Sequence, residues 1–285
     1  MTPGSCFRRI FSKGKKNCSP ELERVHDLIY QRTDIEDVYS DYDIETGNIQ
    51  IEAQPVTTLA SFENEELTKS LKLVQTNISN VRINVNIAKE LDGGNESKYI
   101  RGGGTLGTCT AGFTVRDSGK GRGISTAHHC KDNKRVYRNH SKDGGSTTVT
   151  RKKSHQGKYG DLARYSVGSK TATRTFYYGW NKKRYATAVK NPRVGMLVCN
   201  FGKTTGSKCT KVYKVNTARG SYKGMTAVNS HVTSGGDSGG PWYFGGTAYG
   251  IHSGYATISG KKRSQFTPAT NMQKAVGMKV FIKVK

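Results

Sequence analysis

Ser238 lies in the run TSGGDSGGPW, between two Gly-Gly pairs and just ahead of Pro241 and Trp242. Glycines on both sides of a polar pair suit a backbone that turns sharply and is approached closely. Such a stretch can be a plain hairpin. It can also aim the N–H groups beside a serine. A serine hydroxyl is a poor nucleophile at neutral pH and needs a base next to it. The base is usually a histidine, held in one tautomer by a carboxylate. Both partners have candidates. GISTAHHCK puts His128 and His129 at the end of an expected strand, and KYGDLARYSV puts Asp161 at the entry to another. The order His, Asp, Ser is one of the known orders for this relay. The amides of Gly236 and Ser238 would then meet the oxyanion formed on attack. Asp237, between them, would turn away and hold the loop.

These residues need strands to carry them. After residue 99 the chain is a series of short β-branched and aromatic runs separated by Gly, Asn and Ser-Gly clusters, such as STTVTRKK, RVGMLVCNFG and GTAYGIHSG. That spacing predicts an all-β barrel or sandwich, with one late helix in PATNMQKAVG. Before residue 100 the pattern differs. NIQIEAQ and NVRINVNIA alternate as half-buried strands, SFENEELTKSLKLV reads as a helix capped by Ser61, and Ser19-Pro20 reads as a helix start. Residues 1–99 are therefore a small α+β unit. The join, DGGNESKYIRGGGTLGTC, reads as an exposed, flexible linker.

Charge follows the same division. Residues 1–99 hold 12 Lys/Arg and 16 Asp/Glu, whereas residues 100–285 hold 34 Lys/Arg and five Asp, with no glutamate after Glu96. An acidic leader can mask so basic a body. No apolar run approaches the roughly 18–20 residues that a membrane-crossing helix needs. The first residues lack the apolar core of a signal peptide. The six cysteines form three sequence-close pairs, Cys6/Cys18, Cys109/Cys130 and Cys199/Cys209. Six cysteines allow 15 pairings, and spacing alone does not choose among them or against reduced thiols. No Cys-x-x-Cys or His-x-x-x-His cluster accompanies them, so a metal is not expected, nor is a cofactor.

The region 100–285 resembles the chymotrypsin-fold serine proteases, and most closely their bacterial streptogrisin and glutamyl endopeptidase branch. STAHHC is similar to the family's histidine motif, GDLARY to the segment around its aspartate, and GGDSGGPW to its nucleophile motif. The resemblance implies two antiparallel β-barrels. It makes Ser238 the nucleophile, His129 the base, Asp161 the orienting carboxylate, and Gly236 with Ser238 the oxyanion hole. It also implies the disulfides Cys109–Cys130 and Cys199–Cys209, leaving Cys6 and Cys18 as a third candidate pair. Ile100-Arg101-Gly102-Gly103 resembles a mature N-terminus of that branch. Residues 1–99 would then be a pro-segment that assists folding and blocks the cleft. An independent accessory domain is the other reading of that unit.

The primary pocket would be lined by the residues before Ser238 and by YGIHSGY. Val232 stands where an enzyme cutting after Lys or Arg needs an acidic residue. GIHSG resembles the glutamyl endopeptidase segment whose histidine meets the substrate carboxylate, which assigns that part to His252. A carboxylate leaving water needs donors or positive charge in return. Thr233, Ser234 and Tyr255 could add donors, although Tyr255 stands where a small residue is usual. A body without glutamate suits an enzyme that cuts after glutamate. Processing after Glu96 would leave a short extension, and processing after Tyr99 would suit a chymotrypsin-like preference.

The expectation is thus a secreted serine endopeptidase, made as a zymogen and cutting after Glu, with large apolar residues as the alternative. Its partners would be peptide substrates and its own pro-segment, with no membrane attachment and a monomeric state. A different class remains: an inactive homologue binding polyanions through RKKSHQGK, NKKRYATAVK and Lys261-Lys262-Arg263.

Overall fold

A computed structural model describes residues 35–43, 48–55, 83–87, 96–140, 144–180 and 182–283. The chain divides into two compact units, Met1–Gly93 and Gly94–Lys285. In the first, the strands Ile35–Asp43, Asn48–Pro55 and Ile83–Ile87 form one sheet in that order. The first pair is antiparallel and the second parallel, with Ile49 opposite Ile83 and Ile51 opposite Val85. The expected helices at Ser19 and Ser61, and Cys6 and Cys18, lie outside the described residues.

The second unit is all-β, built as two antiparallel β-barrels with a few short parallel pairings. An eight-stranded sheet carries Gly160–Tyr165 between its hairpin partner Ser146–Gly157 and the strand Arg122–Thr126, all antiparallel. A seven-stranded sheet carries Leu197–Gly202, Gly206–Arg219, Tyr222–Val228, Pro241–Phe244, Thr247–Ile258 and Lys261–Pro268. Each has its own apolar core. The first packs Leu106, Ile124, Val149 and Ala163 around the buried rings of Tyr137 and Tyr165. The second packs Val198, Val212 and Val228 around Trp242 and Phe266. The late helix is shorter than predicted: one 3-10 turn, Ala269–Asn271, leads into Met272–Val276, which Gly277 ends at φ 74°.

The join at Gly102–Gly104 is not an exposed linker. All three glycines are buried, and Tyr99–Gly102 is a strand paired in parallel with Thr171–Gly179. A Cβ on Gly104 would meet the Tyr137 ring at 2.5 Å, and one on Gly102 would meet the Gly112 carbonyl at 2.6 Å. These glycines serve close packing rather than mobility. Ile100 is fully buried, and the Tyr99 carbonyl accepts a 2.8 Å bond from the Asn139 amide. Glu96 falls just before this tethered stretch, in the short 3-10 turn Glu96–Lys98.

Candidate active site

The eight-stranded sheet delivers an imidazole and a carboxylate to the same end of two neighbouring strands. His129 lies in the loop after Arg122–Thr126, and Asp161 is the second residue of Gly160–Tyr165. The loop is pinned by the Cys109–Cys130 disulfide and by a 2.8 Å bond from the Tyr165 hydroxyl to the Cys130 carbonyl. Asp161 is completely buried. Its Oδ1 accepts the His129 amide at 3.0 Å, and its Oδ2 lies 2.6 Å from His129 Nδ1. The Ser253 hydroxyl donates to the same Oδ2 at 2.5 Å. Burial alone would push this carboxyl up. The hydrogen bond and charge of the His129 ring, with the Ser253 and amide bonds, outweigh it and hold Asp161 below the usual carboxylate range. An ionised carboxylate only accepts, so Nδ1 of His129 carries a proton, and in the neutral ring Nε2 is bare. That bare nitrogen lies 2.8 Å from Ser238 Oγ, which can donate to it.

Ser238 comes from the other barrel, in the loop before Pro241–Phe244. Gly236 and Gly239 take φ values of +98° and +88°, a region glycine enters freely. Asp237 turns inward, is fully buried, and gathers the surrounding chain. Its oxygens accept from the amides of Thr204, Thr205 and Ser234 and from the Thr205 hydroxyl. Thr110 clamps the loop from the first barrel: its amide donates to the Ser238 carbonyl at 2.8 Å and its hydroxyl to the Gly236 carbonyl at 2.8 Å. The amides of Asp237, Gly239 and Gly240 are bound to backbone carbonyls; among the described residues those of Gly236 and Ser238 are not. Two amides without a backbone partner, on either side of Asp237 and beside a hydroxyl–imidazole–carboxylate chain, form a setting in which a carbonyl can be attacked and its oxyanion held.

The residues expected to line the pocket divide into two groups. His252 is buried in Thr247–Ile258, directly opposite Phe266, and its Nδ1 lies 3.3 Å from the indole nitrogen of Trp242. Indole nitrogen can only donate, so Nδ1 accepts and Nε2 carries the proton. Burial, with the charges of His129 and Arg219 and against those of Asp237 and Asp161, lowers the His252 pKa to about 3. The ring is a neutral donor at any ordinary pH. Thr233 is buried nearby, its hydroxyl 2.8 Å from that of Ser264, whose oxygen also accepts the Val232 amide at 3.0 Å. Ser234 and Tyr255 are exposed instead. The Tyr255 ring lies tilted against His231, with centroids 4.7 Å apart, and under the Lys262 ammonium.

Three contributors carried no readable signal in the sequence: Thr110, Ser253 and Arg219. Arg219 ends the strand Gly206–Arg219 and reaches Ser253 Oγ at 2.6 Å, with Asp161 Oδ2 at 3.6 Å. Among the described residues, no group of three or more His, Cys, Asp or Glu side chains could hold a metal ion.

No family model matches the chain. Relatives do. Glutamyl endopeptidase 2 of Streptomyces griseus is 31% identical over 189 residues, covering 64% of this chain and 97% of that protein. This chain belongs to the chymotrypsin-fold serine proteases, in their streptogrisin and glutamyl endopeptidase branch. As a member it is a serine endopeptidase. Serine protease 1 of Streptomyces fradiae is 27% identical over 268 residues, which is 92% of this chain and 71% of that protein, so this match takes in most of the first unit as well. Among solved structures, a glutamic-acid-specific serine protease that uses a histidine triad in substrate binding superposes with a TM-score of 0.53 at 25% identity, over 64% of this chain and all of that one. The second disulfide, Cys199–Cys209, spans the paired strands Leu197–Gly202 and Gly206–Arg219.

Proposed function

We propose that this serine endopeptidase works through Ser238, His129 and Asp161. The observation that carries the reading is the unbroken chain of contacts: Asp161 Oδ2 to Nδ1 at 2.6 Å, then Nε2 to Ser238 Oγ at 2.8 Å. His129 takes the Ser238 proton as Oγ attacks the scissile carbonyl. Asp161 stabilises the imidazolium, and the Gly236 and Ser238 amides hold the oxyanion. The proton then passes to the leaving amine, an acyl-enzyme forms, and water activated by the same ring releases it. Labelling of Ser238 by a serine-directed phosphonylating reagent, lost in Ser238→Ala and His129→Ala, tests this. No labelling of Ser238 in the processed wild type would refute it and favour a polyanion-binding homologue.

Cleavage after glutamate is the specificity we favour. It rests on His252 offering a buried N–H, on Thr233 beside Ser264, and on the glutamate-free body. The site differs from a histidine triad. The ring against His252 is the indole of Trp242, itself stacked on Phe266 at 4.9 Å. A substrate carboxylate would meet one neutral imidazole amid apolar walls. Those walls are the observation that favours the runner-up, large apolar residues. Matched peptides with Glu, Gln and Phe before the scissile bond separate the two. Glu is expected to lead, and His252→Ala to cut its advantage over Gln at least tenfold, on the order of 1.4 kcal/mol. Phe ahead of Glu overturns the glutamyl reading and leaves the relay untouched.

Residues 1–99 act in this reading as a pro-segment, and the two disulfides suit an exported protein. Support comes from the opposite charge of the two parts and from the match that extends over 92% of the chain. The Tyr99–Ile100 bond is held within a paired strand, so processing is expected after Glu96, and the active form should begin at Ser97. N-terminal sequencing of the active form decides between Ser97 and Ile100.

A further inference from the structure

The relay does not end at Asp161. Behind the carboxylate stands Ser253, and behind Ser253 stands Arg219. Arg219 Nη2 lies 2.6 Å from Ser253 Oγ and 3.1 Å from the Ser253 carbonyl, while Ser253 Oγ lies 2.5 Å from Asp161 Oδ2. The guanidinium packs flat against the substrate-side strand, where a Cβ on Gly254 would meet its Nη1 at 3.2 Å, and its centre lies 5.1 Å from the Tyr222 ring centroid. Its Nε is buried with no partner among the described residues.

A guanidinium can only donate, and it keeps its proton throughout the working pH range. The Ser253 oxygen must therefore accept from Arg219, which leaves its own proton for Asp161. With the Ser253 proton and the His129 amide both directed at it, the carboxylate has no orientation open to it except as an acceptor toward Nδ1. Arg219 thus sets the direction of every hydrogen bond down to Ser238. It also adds a fixed positive charge one carboxylate away from a ring that becomes positive during reaction.

We propose that Arg219 is a positioning residue of the relay: it fixes the Ser253 hydroxyl on Asp161, and its charge opposes protonation of His129, so the enzyme keeps working at lower pH than it would without it. The inference rests on the triad reading of the preceding section. Other charged and titratable groups act around the relay. Asp161 acts on His128, Tyr222 and His252, and His252 also feels His129, Arg219 and Asp237; Arg151 and Lys131 act on His128. Arg219 is the cation among them that donates directly into the relay.

The experiment is the pH profile of kcat/KM for the processed full chain and for Arg219→Gln, Arg219→Met and Arg219→Lys. Active sites are counted by phosphonylation, and the His129 ring is followed separately by 15N NMR. The acid limb and the ring titration should both move up by about 0.5–1 pH unit in the Gln and Met variants. The Lys variant should stay near wild type because the charge is kept. A merely structural role would lower the count of active sites and leave the limb in place. That result, or a Lys variant that shifts as far as Gln, overturns the inference. If wild type itself is not labelled at Ser238, the triad reading fails first and takes this one with it.

Discussion

The two sides of the cleft use the same side chain in opposite ways. His129 is part exposed, with a carboxylate on one nitrogen and a hydroxyl on the other. His252 is sealed between Trp242 and the neighbouring strand, with an indole on one nitrogen and a pKa near 3. The difference lies in what compensates a charge. Beside Asp161 an imidazolium is stabilised by a buried anion, so the ring can take a proton and return it. Beside Trp242 burial excludes the cation, so the ring offers only a fixed N–H. One histidine is built to change state and the other to stay as it is.

Removing the compensating charge is the strongest way to break that contrast. Asp161→Asn keeps the shape but offers an amide where Nδ1–H needs an acceptor, which favours the wrong tautomer. A fall in kcat of about 10⁴-fold is expected. Steady-state kinetics on the processed enzyme checks it, and a loss under tenfold would mean that the ring needs no carboxylate partner.

The serine side can be broken through its backbone. At Gly236 the φ of +98° is strained for any L side chain, and a Cβ would stand 2.5 Å from Thr204 Oγ1 and 3.0 Å from Lys203 Cε. Thr204 is held by a 2.8 Å bond to the Gly235 carbonyl, so the loop itself must shift. Gly236→Ala should misplace one oxyanion donor and lower kcat about 100-fold while KM changes little. An unchanged kcat would show that the amide at 236 faces no developing charge.

How much of this could be read from residue types differs by locality. The serine loop and the histidine loop are encoded in short runs, where glycines and spacing carry the constraint directly, whereas the pairing of the cysteines came only from the resemblance. Gly102–Gly104 misled because composition does not separate a loose glycine from one pressed against Tyr137 and Phe176. The leader strand Ile35–Asp43, IEDVYSDYD, lacks apolar alternation and was not expected. Arg219 and Thr110 were illegible for another reason. Each acts across the fold on a residue far away in the chain, and an arginine in a basic body or a threonine in a β-rich one is unremarkable until the hairpins are folded.

The contrast between the two rings also predicts how acid unfolds the protein. The folded pKa of His252 lies below its ordinary value, so between about pH 6.5 and 3 the unfolded chain binds a proton that the folded chain refuses. Stability from this site is fully present above pH 6.5 and is lost as pH falls toward 3, by a few kcal/mol. Asp161, held low in the fold, adds a loss of the same sign only below its ordinary carboxylate range. Thermal unfolding of Ser238→Ala, which avoids self-digestion, should show the slope between pH 6 and 4 flatten when His252→Gln is added. A slope independent of residue 252 would mean that its ring is already solvated.

The smallest expected effect lies where the two barrels meet over the serine. Thr110 sends its amide to the Ser238 carbonyl and its hydroxyl to the Gly236 carbonyl, while its hydroxyl oxygen accepts the Lys203 amide at 3.0 Å. Thr110→Val keeps the shape and the amide bond but strips both hydroxyl bonds, leaving a carbonyl and an N–H to find water in a part-buried place. Each such loss is worth about 1 kcal/mol. Because the bonds hold the loop rather than the reacting atoms, the cost should divide between stability and rate. We expect a drop in Tm of a few degrees and a fall in kcat of about tenfold, with the pH profile unmoved. The unmoved profile is the discriminating part: Thr110 touches the serine loop and not the imidazole, so a shifted acid limb in this variant would show that the loop and the relay are one coupled unit rather than two parts joined at Ser238.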